Sequence, residues 1–566
     1  MRGYNEMCTY NYGVNEMKDK YIALMDKALD AYSYGHIIEY FEKVKKDGLK
    51  EHGFPRLTAN MGILIAHGKR CELTPLFLEM MAFCCRMMHE VKAANDFSVR
   101  ELILCILELE RCGKFDKSVT NGFRAELSLI EPTKCYNHFA VTTADPEYNW
   151  ALFTGVSEFV RFREGIGGDM EFIETQIGSQ LKWLDENGMY RDAPVHPPMM
   201  YDIVSRGLFT TLLHFGYRGR YYTELDKVLR GAALLMLKMQ SVTGEMAFGG
   251  RSNQFLHNET WMAVIFEYEA ARYKKEGDPM LAGRFKEAAH RALSVVEAWL
   301  SKTPIGHIKN RFPTETKYGC EKYAYFDKYM ITVASFLYMA HLMCDDSIAS
   351  SERDTSPAVF ETSADFHKLF MSCGNYSLEF ELDGDPHYDA SGLGRVHRIG
   401  APSTICMSGS CPAEPNFSVA PSDPHPLSLC EGVKQDGEWV FAAEVGAKYT
   451  VLAAETRGDA AYAKLSSDHD GGFTEYTVSN DGVHIVVHGK DEAAYSLPAF
   501  LYDGETYTEI SADEHSLTIR YGGHFCRYET NGVIVETEIV ACGRNGLYRK
   551  YYAIADKRVC VNIVIK

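Results

Sequence analysis

The chain has 566 residues, which is too long for one ordinary hydrophobic core, so we expect two or more domains. Hydrophobic residues make up 46% of it and charged residues 24%, as in a soluble globular protein. The formal net charge of −18 argues against a nucleic-acid partner and against an anionic membrane surface, because both repel an acidic face. A small acidic substrate stays open, since it needs only a local cluster of cations.

The sequence carries no pattern that is typical of export. Residues 1–20 mix charged and polar side chains and lack the apolar centre of a signal peptide. No run of about 18 apolar residues marks a transmembrane helix. The 16 cysteines form no CxxC pair, and several stand in apolar contexts typical of reduced thiols. We therefore expect a cytoplasmic protein.

Helical periodicity covers residues 17–344. In the first segment one apolar face is formed by Tyr21, Leu24, Met25, Ala28 and Leu29. Paired segments follow, separated by short loops rich in Gly, Pro and Asp: 57–67 with 74–92, 98–112 with 119–130, 149–165 with 169–186, 201–215 with 220–240, 258–276 with 280–301, and finally 324–343. They recur without a matching sequence repeat, which predicts about six helical hairpins closed into an (α/α) toroid over residues 1–345.

The pattern changes near Asp345. Residues 346–365 are rich in Ser, Asp and Thr, which is typical of a linker. Over residues 366–566 apolar and polar side chains alternate, as in Tyr376–Leu382 and Val483–His488, and turns such as Asp481–Gly482 separate the segments. We therefore predict that an antiparallel β-sandwich follows the toroid.

The stretch Gly249–Glu259 concentrates polar side chains directly ahead of a helical apolar face. Polar groups at a helix start beside a core commonly bind a ligand. The stretch supplies candidates for anion binding, orientation and proton transfer: Arg251, Asn253, His257 and Glu259. The structural alternative is that Glu259 caps the helix and His257 is a satisfied loop histidine.

A second polar cluster lies between residues 136 and 150. Asn149 and Trp150 stand at a predicted helix start, and His138 precedes them. An indole face stacks on the C–H groups of a sugar ring and an amide bonds sugar hydroxyls, so this cluster predicts sugar binding. The alternative is a turn at Asp145–Pro146 with Trp150 in the core.

A third cluster combines carboxylates with a tyrosine. Asp192 lies on a loop, and Tyr201 and Asp202 stand at the next predicted helix start. Two carboxylates converging on one helix end would make an acid/base site. Either carboxylate could instead cap the helix.

Two candidates come from more distant parts of the chain. Tyr323 ends a run that also holds Lys309 and Arg311, the cations that an anionic substrate needs. Arg395 belongs to 387–398, where basic residues follow glycines as in a loop that reaches the toroid. A plain hairpin is the alternative for this second stretch.

Several familiar motifs are missing from the sequence. It contains no P-loop, no GxGxxG after a strand, no HExxH and no GxSxG. The histidines are scattered, so we expect no cofactor and no metal. His257 with Glu259 is the one pair left open as metal ligands.

The chain resembles the α/α-toroid carbohydrate-active enzymes, which pair a helical barrel with a C-terminal β-sandwich. Heparinase-type and alginate-lyase-type polysaccharide lyases and several glycoside hydrolase families share this plan. The motifs that carry the resemblance look most like glycoside hydrolase family 154: Asn149-Trp150, Tyr190 with Asp192, Tyr201-Asp202 and Gly249–Asn253. The resemblance implies exo-β-glucuronidase activity on a uronic-acid-containing oligosaccharide or glucuronide.

The candidate residues fit two reactions. A glycoside hydrolase needs two carboxylic groups, which the chain can supply from Glu259, Asp202 and Asp192. A uronate lyase needs a Tyr or His base and a group that neutralises the substrate carboxylate, which the chain can supply from Tyr201, His257, Asn253 and Arg251.

The expected cytoplasmic location favours the exo-acting hydrolase, because imported oligosaccharides are usually shortened from their ends. In both reactions Arg251 is expected to pair with a substrate carboxylate. A non-catalytic sugar-binding protein is the third alternative, and a homodimer is compatible with a chain of this size.

Overall fold

The computed structural model describes residues 16–93, 95–419, 423–469 and 471–566. Residues 1–15, which hold most of the segment expected to lack a signal peptide, lie outside this part. Fourteen α-helices are described: α1 (Glu16–Leu29), α2 (Tyr34–Asp47), α3 (Gly53–Ala66), α4 (Thr74–Glu90), α5 (Val99–Cys112), α6 (Lys117–Ser128), α7 (Pro132–Cys135), α8 (Trp150–Arg163), α9 (Met170–Leu181), α10 (Met199–His214), α11 (Tyr222–Met239), α12 (His257–Glu276), α13 (Pro279–Leu300) and α14 (Phe326–Met343).

Six of these helices form a closed inner ring. α3 packs on α5, α5 on α8, α8 on α10, α10 on α12, α12 on α14, and α14 packs back on α3. Their residues are mostly buried on all sides, and in α3 every residue is buried. A helix without a polar face must be surrounded by protein, and the ring with its outer layer provides that.

The outer layer is made of helices with one apolar face. α4, α6, α9, α11 and α13 each pack against the inner helix before them, and α1 packs against α14. These pairs match the predicted segment pairs, so the (α/α) toroid is confirmed. Helix α2 is an addition to the predicted set, and it buries Ile37, Tyr40, Phe41 and Val44 at helical spacing.

The strands form two antiparallel sheets around one core, as predicted for a β-sandwich. One sheet has the order β1-β2-β3-β4-β5, with β1 (Ala358–Glu361), β2 (Lys368–Cys373), β3 (Tyr376–Glu381), β4 (Gly392–Arg398) and β5 (Met407–Ser408). β1 lies within residues 346–365, the segment predicted as a linker. The prediction missed this strand because it has only four residues and is surrounded by polar sequence.

The second sheet has eleven strands and includes the long antiparallel pair β11 and β16. Its strands are β6 (Glu431–Gln435), β7 (Glu438–Phe441), β8 (Tyr449–Arg457), β9 (Ala460–Ser467), β10 (Phe473–Ser479), β11 (Gly482–Tyr502), β12 (Glu509–Ala512), β13 (Ser516–Tyr521), β14 (His524–Thr530), β15 (Val533–Cys542) and β16 (Leu547–Ile565).

The five-stranded sheet faces the toroid with charged side chains. The carboxylate of Glu379 accepts a hydrogen bond from the Phe248 amide at 3.2 Å, and Arg395 donates to the Met246 carbonyl at 2.7 Å. Because these bonds end on the segment just ahead of Arg251, the sheet fixes the backbone of the predicted polar stretch. No helix in the described part of the chain has the length and apolar character needed to cross a bilayer.

Candidate functional site

Contacts between residues at the starts of the inner helices show that these helices begin at one end of the toroid. Phe153 of α8 packs on Phe97, ahead of α5, at 4.3 Å between ring centroids, and Phe97 stacks on His52, ahead of α3, at 5.0 Å. His52 meets Tyr329 of α14 edge to face at 6.0 Å, and Tyr329 stacks with His257 of α12 at 5.9 Å. We call this end the mouth.

The helix starts at the mouth have one feature in common. None of the six inner helices has a side-chain hydrogen bond capping its first turn. Four outer helices are capped, by Ser33, Asp116, Asp169 and Asp278, whereas α4 and α11 are not. Uncapped N–H groups leave the positive ends of the inner helix dipoles directed toward the mouth, which favours a bound anion.

Three hydroxyls form a chain beside the start of α10. The Ser252 hydroxyl hydrogen-bonds the Tyr323 hydroxyl and lies 3.2 Å from the Tyr201 hydroxyl. Ser252 has a left-handed backbone with φ of 64°, and its amide donates to a Glu321 carboxylate oxygen at 2.8 Å. The chain joins α10, the 249–259 stretch and the loop before α14, and both phenols are partly exposed.

Arg251 lies against this hydroxyl chain. Its guanidinium stacks over the Tyr201 ring at 4.5 Å and forms an ion pair with Asp192, and 36% of its side chain is exposed. The other Asp192 oxygen accepts from the side-chain amide of Asn149 at 2.7 Å. Asn149 Oδ1 is buried without a hydrogen-bond partner among the described residues, so Asn149 keeps unused acceptor capacity.

Electrostatics at the mouth keep its histidines neutral and its phenols protonated. Burial lowers the pKa of both His52 and His257 well below the usual value, and the charge of Arg56 acts in the same direction. Burial raises the pKa of Tyr201, while the charge of Arg251 and the hydrogen bond from Ser252 oppose that rise. Burial also raises the pKa of Tyr323.

The predicted carboxylates lie behind the mouth. Asp202 is fully buried, forms an ion pair with Arg206 of the next helical turn and accepts the Tyr190 amide at 2.7 Å. Glu259 is fully buried as well and accepts from Lys309 at 2.7 Å and from the Met246 amide at 3.1 Å. This geometry argues against a role for Asp202 in proton transfer, because Arg206 and a backbone amide occupy its oxygens.

The remaining predicted residues divide between the mouth and the interior. Trp150 is 42% exposed, and its ring packs on His138 at 3.7 Å, which leaves an aromatic surface open to solvent. Asn253 is buried and donates to the Ala247 carbonyl at 2.9 Å. Arg395 is buried at the domain interface, where it pairs with Glu379 at 2.9 Å, so its guanidinium is engaged away from the mouth.

Sequence reasoning missed several residues that line the mouth. His52, Phe97 and Tyr329 come from three different helix starts and meet only when the ring closes. No local pattern marks them as a group. Ser252 stood inside the predicted polar stretch, but its place in the hydroxyl chain depends on the distant Tyr323.

The β-sandwich also holds the backbone of the mouth by hydrogen bonds. Asp389 accepts the Gly250 amide at 3.0 Å, and Arg544 donates to the Gly250 carbonyl at 3.0 Å and to Glu321 at 3.1 Å. Glu321 is the residue that holds the Ser252 amide. Both domains therefore determine where Arg251 and Ser252 stand.

No protein-family model matches the chain, and no curated protein sequence matches it. Among solved structures it is similar to a heparan sulfate lyase HepC mutant from Pedobacter heparinus, with 8% identity, 90% of this chain and 76% of that chain covered, and a TM-score of 0.46. It is also similar to heparinase III (9% identity, 82% and 76% covered, TM-score 0.36) and to a glycosyl hydrolase family 88 protein from Bacteroides vulgatus (9%, 58% and 99%, TM-score 0.34). Identities and scores this low do not bear on function, which rests on the geometry of the mouth.

Proposed function

We propose that the protein is an enzyme that acts on uronic-acid-containing oligosaccharides or glucuronides at the mouth of the toroid. The observation that carries this proposal is the partly exposed guanidinium of Arg251, held by Tyr201 and Asp192 where six uncapped helix starts converge. A guanidinium binds a carboxylate through two parallel hydrogen bonds. The exposed ring of Trp150 gives a neighbouring sugar a face on which to stack.

The reaction that this geometry supports best is β-elimination. Asp192, Asp202 and Glu259, the carboxylates that a hydrolase would use, are fully buried in ion pairs with Arg251, Arg206 and Lys309. The groups that reach the mouth beside Arg251 are hydroxyls. A hydroxyl chain can accept a proton and return it, whereas a carboxylate that is buried in an ion pair cannot reach a glycosidic oxygen.

In the proposed reaction Arg251 neutralises the charge of the substrate carboxylate, which lowers the pKa of the C–H group on the adjacent carbon. The Tyr201 oxygen, as phenolate, takes that proton while the C–O bond to the leaving sugar breaks. The Tyr201 hydroxyl then returns the proton to the leaving oxygen. The bond that breaks is on the second carbon from the carboxylate, so the products are an unsaturated uronate and a sugar that keeps the glycosidic oxygen as a hydroxyl, and no water is consumed.

The pH dependence of kcat/KM follows from the raised pKa of Tyr201. Below that pKa the phenolate fraction increases about tenfold for each pH unit, so we expect kcat/KM to rise with pH through the neutral range. A hydrolase that donates a proton from a carboxylic acid would lose rate over the same range.

One observation favours a second candidate, an exo-β-glucuronidase-type hydrolase like glycoside hydrolase family 154. Asp192 is the predicted carboxylate nearest the mouth, between Asn149 and Arg251. If Arg251 turns to a substrate carboxylate, Asp192 loses that partner and becomes available as an acid or base. The hydrolase then needs a second carboxylic group, for which Glu259 is the candidate.

Product analysis distinguishes these functions. A panel of aryl β-glucuronides and uronic oligosaccharides is incubated with the protein, and both ultraviolet absorbance of an unsaturated uronate and release of free uronic acid are recorded. With the uronic oligosaccharides we expect the absorbance to increase without free uronic acid, and we expect no turnover of the aryl β-glucuronides, because their aglycone is not on the carbon β to the carboxylate. Arg251→Lys keeps the positive charge but cannot form two parallel hydrogen bonds to a carboxylate, so it should lower kcat/KM about 100-fold. Arg86→Ala, which alters an exposed outer-helix arginine, should not.

Release of free uronic acid alone would favour the hydrolase. Binding of a uronide without turnover of any panel member would favour the non-catalytic sugar-binding alternative.

A further inference from the structure

A cluster of metal-ligating side chains lies at the junction of the two domains. His196 follows the loop that carries Asp192, whereas His367 and Asp383 belong to the β-sandwich. The candidate ligand atoms of the three residues all lie within 4.8 Å of one another. No other group of three His, Cys, Asp or Glu residues in the described part of the chain is gathered in this way.

The spacing within the cluster suits one ion. His196 Nε2 lies 3.7 Å from Asp383 Oδ2, and the two imidazole rings have centroids 5.2 Å apart. Two ligands on one tetrahedral zinc ion, each at about 2.1 Å from it, stand about 3.4 Å apart. Small side-chain rotations would therefore bring all three ligand atoms to bonding distance.

A second observation is an unsatisfied nitrogen. His196 Nε2 is shielded from solvent and has no hydrogen-bond partner among the described residues. A buried nitrogen that forms no hydrogen bond is costly, so its presence calls for a partner. A metal ion would be such a partner for a neutral imidazole, whose nitrogen lone pair is directed at it.

The backbone around both histidines is unusual. His196 and His367 have φ values of 55° and 52°, in the left-handed region that side chains with a Cβ seldom adopt, and Ala193 and Val195 share it. Such a residue is strained and persists only where the surroundings enforce its conformation. Three of these residues, Ala193, Val195 and His196, lie on the toroid loop that enters the cluster, and His367 enters it from the β-sandwich.

We propose that His196, His367 and Asp383 bind a zinc-class divalent transition-metal ion that ties the β-sandwich to the toroid loop ahead of α10. Two imidazoles and one carboxylate are a ligand set that Zn²⁺ accepts, with solvent in the fourth position.

The proposed ion would stiffen a segment that supports the mouth. His196 lies four residues after Asp192 and five before Tyr201. His367 and Asp383 flank β2 and β3, and β3 carries Glu379, which accepts the Phe248 amide. A bond across this junction would hold α10 and the 249–259 stretch at one relative position. The proposed reaction assigns no step to this ion.

Lys448 competes for the same carboxylate. Its ammonium nitrogen lies 2.8 Å from Asp383 Oδ2, and its side chain is mostly exposed. The ion must therefore displace this ammonium or use the other Asp383 oxygen. Removal of the Lys448 side chain should leave the affinity for zinc unchanged or raise it. This outcome distinguishes a metal site from a site that serves only the Lys448–Asp383 ion pair.

The experiment uses the full chain, stripped with a chelator, incubated with excess ZnCl₂ and desalted, and it measures zinc by elemental analysis. We expect about one zinc per chain and a rise in thermal stability on zinc addition. His196→Asn and His367→Asn should each weaken zinc binding by at least about 100-fold. Asparagine tolerates positive φ, so these variants remove a ligand without adding backbone strain.

His387→Asn is the matched control, because it changes an exposed histidine of the same domain outside the cluster, and it should retain the zinc. Cobalt substitution gives a second readout, since tetrahedral nitrogen and oxygen ligation produces visible absorption bands that should vanish in His367→Asn. Zinc content that stays at background in the native chain, or that is unchanged in both cluster variants, would overturn the proposal. These readouts do not depend on turnover, so they stand whether or not the proposed function is correct.

Discussion

The mouth of the toroid and the carboxylates behind it are both built from polar residues at helix starts, but the two groups differ in exposure and pairing. At the mouth, Tyr201, Tyr323 and Arg251 are partly exposed, and their hydroxyls and guanidinium can reach a ligand. Behind it, Asp202 and Glu259 are fully buried and held by Arg206 and Lys309. Polar character at a helix start therefore does not by itself mark a catalytic group, since pairing and exposure decide which residues can react.

The largest effect is expected at the mouth. Tyr201→Phe removes the proposed proton-transfer hydroxyl but keeps the ring under Arg251, so kcat/KM should fall by about 10³-fold or more while the melting temperature changes little. Steady-state kinetics with the best uronide of the panel measures this. Tyr34→Phe, which removes an exposed hydroxyl from α2, is the control and should behave as the native chain. Unchanged turnover in Tyr201→Phe would show that the Tyr201 hydroxyl takes no part in the reaction.

Behind the mouth, the expected effect is on stability. Asp202→Ala leaves Arg206 buried without its partner, which should lower the free energy of unfolding by about 3–5 kcal/mol. Urea unfolding measures this loss. Asp30→Asn, which breaks exposed ion pairs with Lys27 and Arg70, should cost about 1 kcal/mol or less. If Asp202→Ala kept full stability but lost turnover, the contrast between the two regions would fail.

Asp96, next to the mouth residue Phe97, should make the stability of the chain depend on pH. Burial raises the pKa of Asp96 to about 8, although backbone amides and Arg56 oppose the rise. The unfolded carboxyl ionises near pH 4. The folded state therefore holds an extra proton between these values, and the stability this gives at low pH is lost as the pH rises toward 8.

Asp96→Asn cannot ionise, so its stability relative to the native chain should increase from pH 5 to pH 8, by about 3 kcal/mol. Urea unfolding at several pH values measures the difference. A stability difference that stays constant over this range would mean that Asp96 is ionised in the folded chain.

The smallest effect is expected at the rim. Trp150→Ala removes an exposed stacking surface, and a lost sugar stack of about 1 kcal/mol corresponds to a roughly fivefold rise in KM with little change in kcat. Trp439→Ala in the β-sandwich is the control. A fall in kcat with constant KM would place Trp150 in the reaction and not in binding.

The fold was largely predictable because its signals are local. Apolar residues at helical spacing gave the hairpins from α3 to α13, and alternation gave the strands beyond residue 366. β1 escaped prediction because four residues inside a polar segment give too short a pattern. The Asp202–Arg206 pair has the i,i+4 spacing of a helical ion pair, so its structural role could have been recognised from the sequence.

The site was predictable only in part. The 249–259 stretch and Tyr201 do meet, because α10 and α12 are neighbours in the ring. The partners of Glu259 and Arg395, Lys309 and Glu379, are set by tertiary packing and domain contact. No sequence window contains both members of such pairs, so their burial and neutralisation could not be foreseen.

The central proposal is that hydroxyls at the mouth eliminate across the glycosidic bond and that no water enters the products. The most direct measurement is turnover of a uronic oligosaccharide in heavy-oxygen water, followed by mass spectrometry of both products. We predict that neither product gains an oxygen from the solvent and that one carries a new double bond. One heavy oxygen at the newly formed anomeric carbon would contradict β-elimination and establish hydrolysis.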